Sequence, residues 1–223
     1  MSRTLFLLFL LIAAGPAKAL AQTADPPNWE IGATAGLFGG RPVDSHTFYG
    51  NDWYSEGRYA VSAGHYWTEH LKTEIEFATT GEGERYAQRL ATFPGAPPGY
   101  IYGVQEFYRV QQASARMVWQ FRENAWVHPY VFAGAALDIE RRRESVPDAY
   151  LFNPADPRAP TIRSLVVAAH NVGLVVIHRG AATAGGGTKL YLSPNAFFNT
   201  GVVATFAKPA TTFSAFAGFG IDF

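Results

Sequence analysis

Six histidines are the side chains of this chain that could act as acid–base catalysts near neutral pH or bind a metal ion. They are His46, His65, His70, His128, His170 and His178. These positions are scattered and lack the close ligand spacing of metal sites. The chain also has no cysteine, which removes thiolate ligands and disulfides. The sequence therefore predicts no metal site and no cofactor.

Composition favours a packed, β-rich protein. Lys plus Arg and Asp plus Glu number 18 each, so the chain carries no net charge that would attract nucleic acid. The 22 glycines and the 15% of aromatic residues favour β structure with tightly packed faces. We therefore expect no nucleic-acid partner.

The N-terminus has the pattern of a secretory signal peptide. Arg3 is followed by a short apolar run, a Gly-Pro break and a small-residue cleavage site that ends at Ala21. The apolar run is too short to span a bilayer as a helix, which argues against the alternative of a membrane anchor. We expect residues 1–21 to be cleaved and residues 22–223 to form one domain.

The last eleven residues, FSAFAGFGIDF, alternate strictly between two faces. One face carries Phe213, Ala215, Ala217, Phe219, Ile221 and Phe223. A period of two predicts a strand with one apolar face. A soluble sandwich strand has the same alternation, but a terminal Phe223 fits a strand whose outer face meets lipid.

Seven further segments alternate in a similar way, although the parity of the last is ambiguous. They are 29–38, 58–67, 71–78, 107–121, 127–140, a segment ending in 188–192, and 196–206. In 71–78, Lys72, Glu74 and Glu76 share one face, which is tolerable only where that face meets water or partner charges. With the tail, these segments predict eight strands.

The connections between these segments alternate in length. Tight turns are predicted at 68–70, 122–125 and 193–195, long connections at roughly 39–57, 80–104 and 141–178, and a short bend at 208–209. Aromatic residues mark the strand ends beside the tight turns: Trp29, Trp67, Trp119, Phe121, Trp126, Phe198 and Phe223. Both features are typical of barrels that cross a membrane with strands.

Over residues 29–223 the chain resembles the small bacterial outer-membrane β-barrels, similar to the OmpA transmembrane domain and OmpX. The tail and the stretches PYVFAGAALDIE and GGGTKLYLSPNAFF carry this resemblance. It implies an all-β, transmembrane, antiparallel up-and-down barrel in the bacterial outer membrane. It also implies an assembly signal at Phe219, Ile221 and Phe223 that is read by the barrel assembly machinery.

Residues 161–178 depart from this pattern because they are too apolar for an ordinary loop. They fit either a hairpin that turns at His170-Asn171 above the membrane or an extra strand pair in a ten-stranded barrel. An extra pair would be short for a membrane crossing, so eight strands are favoured.

A set of charged residues falls on the inward face in this parity. They are Glu30, Lys72, Glu74, Glu76, Arg116, Asp138, Glu140 and Lys189. An unpaired charge in that space would cost several kcal/mol, so they must form a network. An eight-stranded interior is filled by side chains, which favours a plugged lumen over a gated polar channel.

Outer-membrane lipid A deacylases and palmitoyl transferases resemble this chain in size, and they use a histidine to activate a nucleophile. No histidine here stands in a His-x-Ser-Asn arrangement like the deacylase motif. His128 points inward, remote from the outer leaflet, and His170 and His178 are the best remaining candidates. We predict no catalytic residue and no enzyme activity.

The long connections carry aromatic and basic residues of the types used at recognition surfaces. The candidates for external recognition are Trp53, Tyr54, Arg141, Arg142 and Arg143. The arginines could pair with lipopolysaccharide phosphates, or they could be a solvated basic run balanced by neighbouring glutamates.

The sequence therefore predicts an outer-membrane β-barrel with a plugged polar lumen and a structural or surface-interaction role. Its expected partners are outer-membrane lipid and, during biogenesis, the assembly machinery. The alternatives are a narrow channel for small solutes and, less favoured, a lipid A-modifying enzyme. The oligomeric state is not predicted.

Overall fold

The computed structural model describes residues 28–40, 54–90, 101–121, 126–146, 149–152, 163–167, 170–208 and 211–223. These residues form eleven strands: β1 (Trp29–Gly40), β2 (Tyr54–Tyr66), β3 (Leu71–Thr80), β4 (Gly83–Leu90), β5 (Ile101–Gln120), β6 (Val127–Val146), β7 (Ala149–Phe152), β8 (Arg163–Val167), β9 (His170–Tyr191), β10 (Ala196–Phe206) and β11 (Thr211–Asp222). The proposed signal peptide lies outside the described residues. The described residues contain no helix that is long and apolar enough to cross a membrane.

Alternating polarity forms these strands because each face has a different environment. In β3, the charged side chains of Lys72, Glu74 and Glu76 are buried, whereas Ile75 is 50% exposed and Phe77 is 61% exposed. In β11, Ser214 and Asp222 are buried and the alternate residues face outward. The fold therefore places charge inside and apolar surface outside, the reverse of a soluble protein.

The main sheet closes on itself. Its strands run in the order β3-β2-β1-β11-β10-β9-β6-β5, and β3 also pairs with β5. All of these pairings are antiparallel, and the predicted eight-stranded up-and-down barrel is confirmed within the described residues. Main-chain bonds between Trp29 and Phe223, at 2.9 Å in each direction, hold the chain's last residue in the closed ladder.

The register of the barrel fixes its dimensions. Starting at Glu30 and stepping from partner to partner through all eight strands leads back to Gly40, ten residues further along β1. With a rise of about 3.3 Å per residue and a strand spacing of about 4.8 Å, this shear gives a tilt of about 41° and a radius of about 8 Å. Such a barrel has an interior that side chains can fill.

Two rings of exposed aromatic residues border the outer surface. The lower ring, beside the tight turns, contains Trp29, Trp67, Trp119, Phe121, Trp126 and Phe223; the upper ring, whose members lie on β2, β3, β10 and β11, contains Tyr59, Phe77, Phe206 and Phe213. Each residue adds about 2.5 Å of height at this tilt, so Phe223 to Phe213 spans about 25 Å. Among the described barrel residues, no outward-facing side chain between the rings is Asp, Glu, Lys or Arg. This is the band expected of a membrane-crossing barrel.

Strands β4, β5, β6 and β9 continue past the upper ring as an extension. Here β4 pairs with Ile101–Tyr108 of β5, and β9 pairs with β6 as far as Val146. The prediction of a hairpin at His170-Asn171 is wrong, because these residues begin β9 and pair with β6, while β8 pairs with β7. The favoured eight-strand alternative is correct.

The expected loop positions of Arg141, Arg142 and Arg143 are also wrong, since all three lie in β6. Their partners in β5 are Arg109, Tyr108 and Phe107. The run contains no Gly, Pro or Asn that would end a strand, so pairing continues beyond the upper ring.

Closure predicts a disulfide that an open sheet would not allow. Thr73 and Met117 are register partners across the β3–β5 seam, both face outward, and the Thr73 hydroxyl lies 3.3 Å from the Met117 sulfur. The chain has no native cysteine. We expect T73C/M117C to cross-link under mild oxidation, because partners' Cα atoms lie about 4.5–5.5 Å apart. The measurement is mobility of the unfolded protein on a non-reducing gel.

The matched control is T73C/A133C, because Ala133 is the partner of Met117 on the next strand and is separated from β3 by β5. This pair should remain reduced within one molecule. Equal cross-linking of both pairs, or of neither, would contradict the closed seam.

Candidate functional site

A ladder of alternating charges runs along one side of the barrel interior. Its residues, in order of contact, are Lys189, Glu30, Lys72, Glu74, Arg116, Glu76 and Arg58. All are at least 90% buried. Each lies on the inward face of its strand, and together they come from β1, β2, β3, β5 and β9. We call this set the lumen ladder.

Glu30 is the hub at the lower end of the lumen ladder. Its carboxylate accepts hydrogen bonds from the Lys72 ammonium at 2.7 Å, from the Tyr66 hydroxyl at 2.7 Å and from the Lys189 ammonium. Lys189 also donates to the Tyr66 hydroxyl at 3.0 Å and lies 4.2 Å from the centre of the Phe197 ring. One carboxylate therefore ties three strands of the barrel to β1.

Arg116 is the hub in the middle of the lumen ladder. Its Nε and Nη2 atoms donate to the same Glu74 oxygen at 2.8 and 2.6 Å, and Nη2 also donates to Glu76 at 2.6 Å. Glu74 accepts from Lys72 at 2.5 Å, and Glu76 also binds Arg58. The paired geometry offsets the desolvation of these charges, which would otherwise cost several kcal/mol per ion.

Aromatic and aliphatic side chains fill the opposite side of the interior. Val118, Tyr130, Phe132, Val203 and Phe216 form one buried cluster. The Arg116 guanidinium lies 4.5 Å from the centre of the Phe132 ring, which joins the two sides. The interior thus has an ionic side and an apolar side.

Glycines on the inward face make room for these rings. A Cβ atom on Gly185 would lie 2.5 Å from the Phe132 ring, and one on Gly220 would lie 2.2 Å from the Phe197 ring. Both separations are far below a normal contact. The high glycine content therefore has a packing reason inside this barrel.

The described side chains border a small cavity between the two sides. A cavity of about 10 Å³ is bordered by the lumen ladder and by polar and aromatic side chains that include Thr34, Ser62, Tyr130 and Asn199. That volume corresponds to about one water molecule. Tyr130 donates to the Asn199 amide oxygen at 2.8 Å beside this cavity.

The other two predicted inward charges lie above the lumen ladder. Asp138 is buried and accepts from the Gln112 amide at 2.8 Å. Glu140 is partly buried and is paired with Arg179 of β9. In the described contacts, Asp138 and Glu140 are therefore paired with residues outside the lumen ladder.

Sequence reasoning did not single out several members of this interior, among them Arg58, Tyr66 and Asp222. The alternation in β2 contains the signal for the first two, since both lie opposite in parity to outward Tyr59, Val61 and Trp67. Asp222 is the inward neighbour of Phe223 and accepts from the Tyr191 hydroxyl at 2.5 Å.

Three of the described histidines make packing contacts. His65 lies between the Trp29 and Trp67 rings, 4.7 and 4.6 Å from their centres. His70 is 2.9 Å from the main-chain oxygen of Gln120 and stacks on Trp119. His128 packs 4.7 Å from the Tyr191 ring.

The other three histidines have no described contact with an aromatic ring. His178 is exposed on the outward face of β9, the side chain of His170 is not described, and His46 lies outside the described residues. Within the described part of the chain, no cluster of three or more His, Cys, Asp or Glu residues could hold a metal ion.

The residues predicted for external recognition lie on different faces of the fold. Arg142 points inward and binds Glu106 at 2.6 Å and Glu144 at 3.4 Å, whereas Arg141 and Arg143 point outward. Tyr54 begins β2, and Trp53 lies outside the described residues. The basic run therefore serves two different surfaces.

The lumen ladder predicts a large stability difference between two arginines. R116M removes the cation between Glu74 and Glu76 and leaves buried carboxylates uncompensated, which should lower the free energy of unfolding by about 3–5 kcal/mol. R143M, the control, removes an exposed arginine whose Glu82 contact is 2.9 Å long, and should cost less than about 1 kcal/mol. Urea unfolding of the refolded barrel in detergent measures both. Equal losses would show that the lumen ladder contributes no more than a surface pair.

No protein-family model matches this chain, and no curated protein matches it. Solved structures do resemble it. Neisserial surface protein A is 13% identical with a TM-score of 0.51, and the match covers 90% of this chain and 100% of that one. The outer membrane protein OprG from Pseudomonas aeruginosa is 9% identical with a TM-score of 0.50, covering 90% and 98%. Identities this low are evidence for the fold alone, and this chain has the fold of the small outer-membrane β-barrels.

Proposed function

We propose that this chain is an integral protein of the bacterial outer membrane with a plugged lumen and a structural or surface-interaction role. The observation that carries the proposal is the uncharged outer band, about 25 Å tall, between two aromatic rings. Hydrocarbon is the solvent that fits this surface, because the band leaves large apolar side chains exposed. Among them are Ile75, Phe77 and Val202.

The C-terminal strand supports the same location. Phe219, Ile221 and Phe223 face outward from β11, and Phe223 lies in the lower ring. Their outward position leaves them available to the barrel assembly machinery before insertion and to lipid afterwards. An aromatic residue at the lower ring also anchors a strand at the membrane interface.

A plugged lumen is supported by the contacts inside the barrel. The lumen ladder and the facing aromatic cluster leave a cavity of about 10 Å³ between them. Passage of a solute would require buried ion pairs to separate, at a cost of several kcal/mol for each charge left alone. We therefore favour a closed barrel over a narrow channel.

A surface-interaction role is supported by the extension of β4, β5, β6 and β9. These strands carry exposed side chains beyond the upper ring, including Tyr86, Arg141 and Arg143. The closed barrel below them holds these side chains at one end, and a hydrogen-bonded scaffold that projects side chains in this way suits recognition. We propose no enzyme activity, since the described histidines that are buried or half-buried pack against aromatic rings.

The membrane location predicts a penalty for charge on the outer band. Val202 is 61% exposed near the middle of β10. V202R should lower the free energy of unfolding in lipid vesicles by about 2–4 kcal/mol, because an arginine near the bilayer midplane is poorly solvated. V202A is the control and should have a much smaller effect. In a barrel surrounded by water the arginine would be tolerated, and that result would overturn the proposed location.

The plugged lumen predicts an electrically silent protein. In planar bilayers the refolded barrel should show no discrete conductance steps, because the lumen ladder blocks the interior. Steps that disappear when Glu74 and Arg116 are replaced together would establish a channel and contradict the proposal. The double variant must first show the gel shift of a folded barrel after heating, so that loss of folding is not mistaken for loss of conduction.

The absence of enzyme activity is tested on lipid A from cells with and without the protein. Mass spectrometry should find the same acyl chains in both. A difference that is lost in H170A would refute the non-enzymatic proposal.

A further inference from the structure

Two arginines face each other on the outer surface just beyond the upper ring. Arg109 of β5 and Arg141 of β6 are direct register partners, and both are exposed and point outward. Their Cα atoms are therefore about 4.5–5.5 Å apart, and like charges placed directly opposite destabilise a sheet. The sequence run around Arg141 gave no sign of Arg109, which is 32 residues away.

The neighbouring arginines whose side chains the structure describes in β6 and β9 have acidic partners, which sets this pair apart. Arg142 binds Glu106 and Glu144, Arg143 binds Glu82 at 2.9 Å, and Arg179 binds Glu140. Within the described part of the chain, neither Arg109 nor Arg141 has an acidic group within salt-bridge distance. The described residues therefore do not compensate the charge of the pair.

The height of the pair points to a particular anion. Counted along the strands, Arg109 and Arg141 lie about 5 to 15 Å beyond the upper ring. The headgroup layer of a bilayer extends about 5–8 Å beyond its hydrocarbon core, and an arginine side chain reaches several ångströms. Their guanidinium groups can therefore enter the layer where lipid phosphates lie.

We propose that Arg109 and Arg141 form a binding site for the phosphate of a phosphorylated glycolipid in the outer leaflet. Each guanidinium offers a planar fork of donors that suits phosphate oxygens. A shared phosphate would place negative charge between the two cations and relieve their repulsion. His178 lies on the same face beside Ile139 and adds a further polar group next to the site. The site rests on the proposed membrane location.

The test compares R109Q/R141Q with the charge-matched control R143Q/K208Q. Lys208 is exposed at the same end of the barrel, between β10 and β11, so the control also removes two positive charges. The refolded proteins are titrated in neutral detergent micelles with diphosphoryl lipid A, and bound lipid is counted by native mass spectrometry. We expect about tenfold or greater loss of affinity in R109Q/R141Q and less than about twofold in the control.

Stability gives a second readout that a general surface effect would not reproduce. Without lipid A, R109Q/R141Q should be at least as stable to urea as the unsubstituted barrel, because the repulsive pair is gone. Diphosphoryl lipid A should stabilise the unsubstituted barrel and the control but not R109Q/R141Q. Equal stabilisation of all three proteins would overturn the inference.

Two further probes identify the source of the phosphate. Dephosphorylated lipid A should bind the unsubstituted barrel no better than it binds R109Q/R141Q. Inorganic phosphate should compete only weakly; if it bound as tightly as diphosphoryl lipid A, a lipid site would be refuted. Failure of the unsubstituted barrel to insert into vesicles would refute the membrane location itself, whereas an inserted barrel that does not distinguish these lipids refutes only this site.

Discussion

Closure of the sheet is the constraint on which the rest of this structure depends. A strand at an open edge leaves its main-chain donors and acceptors without partners, and inside a bilayer no water can replace them. The β3–β5 seam and the bonds between Trp29 and Phe223 remove both edges. Closure with a shear of ten then sets the tilt and the radius, and so determines how much side-chain volume the interior must hold.

Two kinds of side chain occupy this interior volume. Charged residues of opposite sign alternate along one side, so that each buried ion has a partner at hydrogen-bond distance. Rings fill the other side over glycines that leave room for them. The arrangement demands that charges and glycines occupy matched heights on different strands, since a displaced cation would leave two carboxylates without compensation.

Beyond the upper ring, the inward and outward faces of β6 both carry arginines, but these arginines have different surroundings. The inward face of β6 continues the pairing of charges, with Arg142 bound to Glu106, whereas Arg141 is exposed on its outward face. A run of three arginines is thus divided by strand geometry into one structural residue and two outward ones. Outward Arg143 is paired with Glu82, so the proposed phosphate site consists of Arg141 and its register partner Arg109.

Local polarity in the sequence predicts much of the fold. The alternation of Lys72, Glu74 and Glu76 with Ile75 and Phe77 already separates the inward from the outward face of β3, because a strand has a period of two. The limits of the long strands were harder to predict. Continuation of β6 through Arg143 and of β9 from His170 depends on hydrogen bonds to partner strands, which local polarity does not encode.

The sequence by itself determined that eight alternating segments form a barrel and which face of most segments carries charge. Only the tertiary structure decided the register, and with it that Glu30 meets Lys72 and Lys189, and that Arg109 meets Arg141. The physical reason is that the face of a side chain follows from its own strand, whereas its partner follows from the shear of the closed sheet.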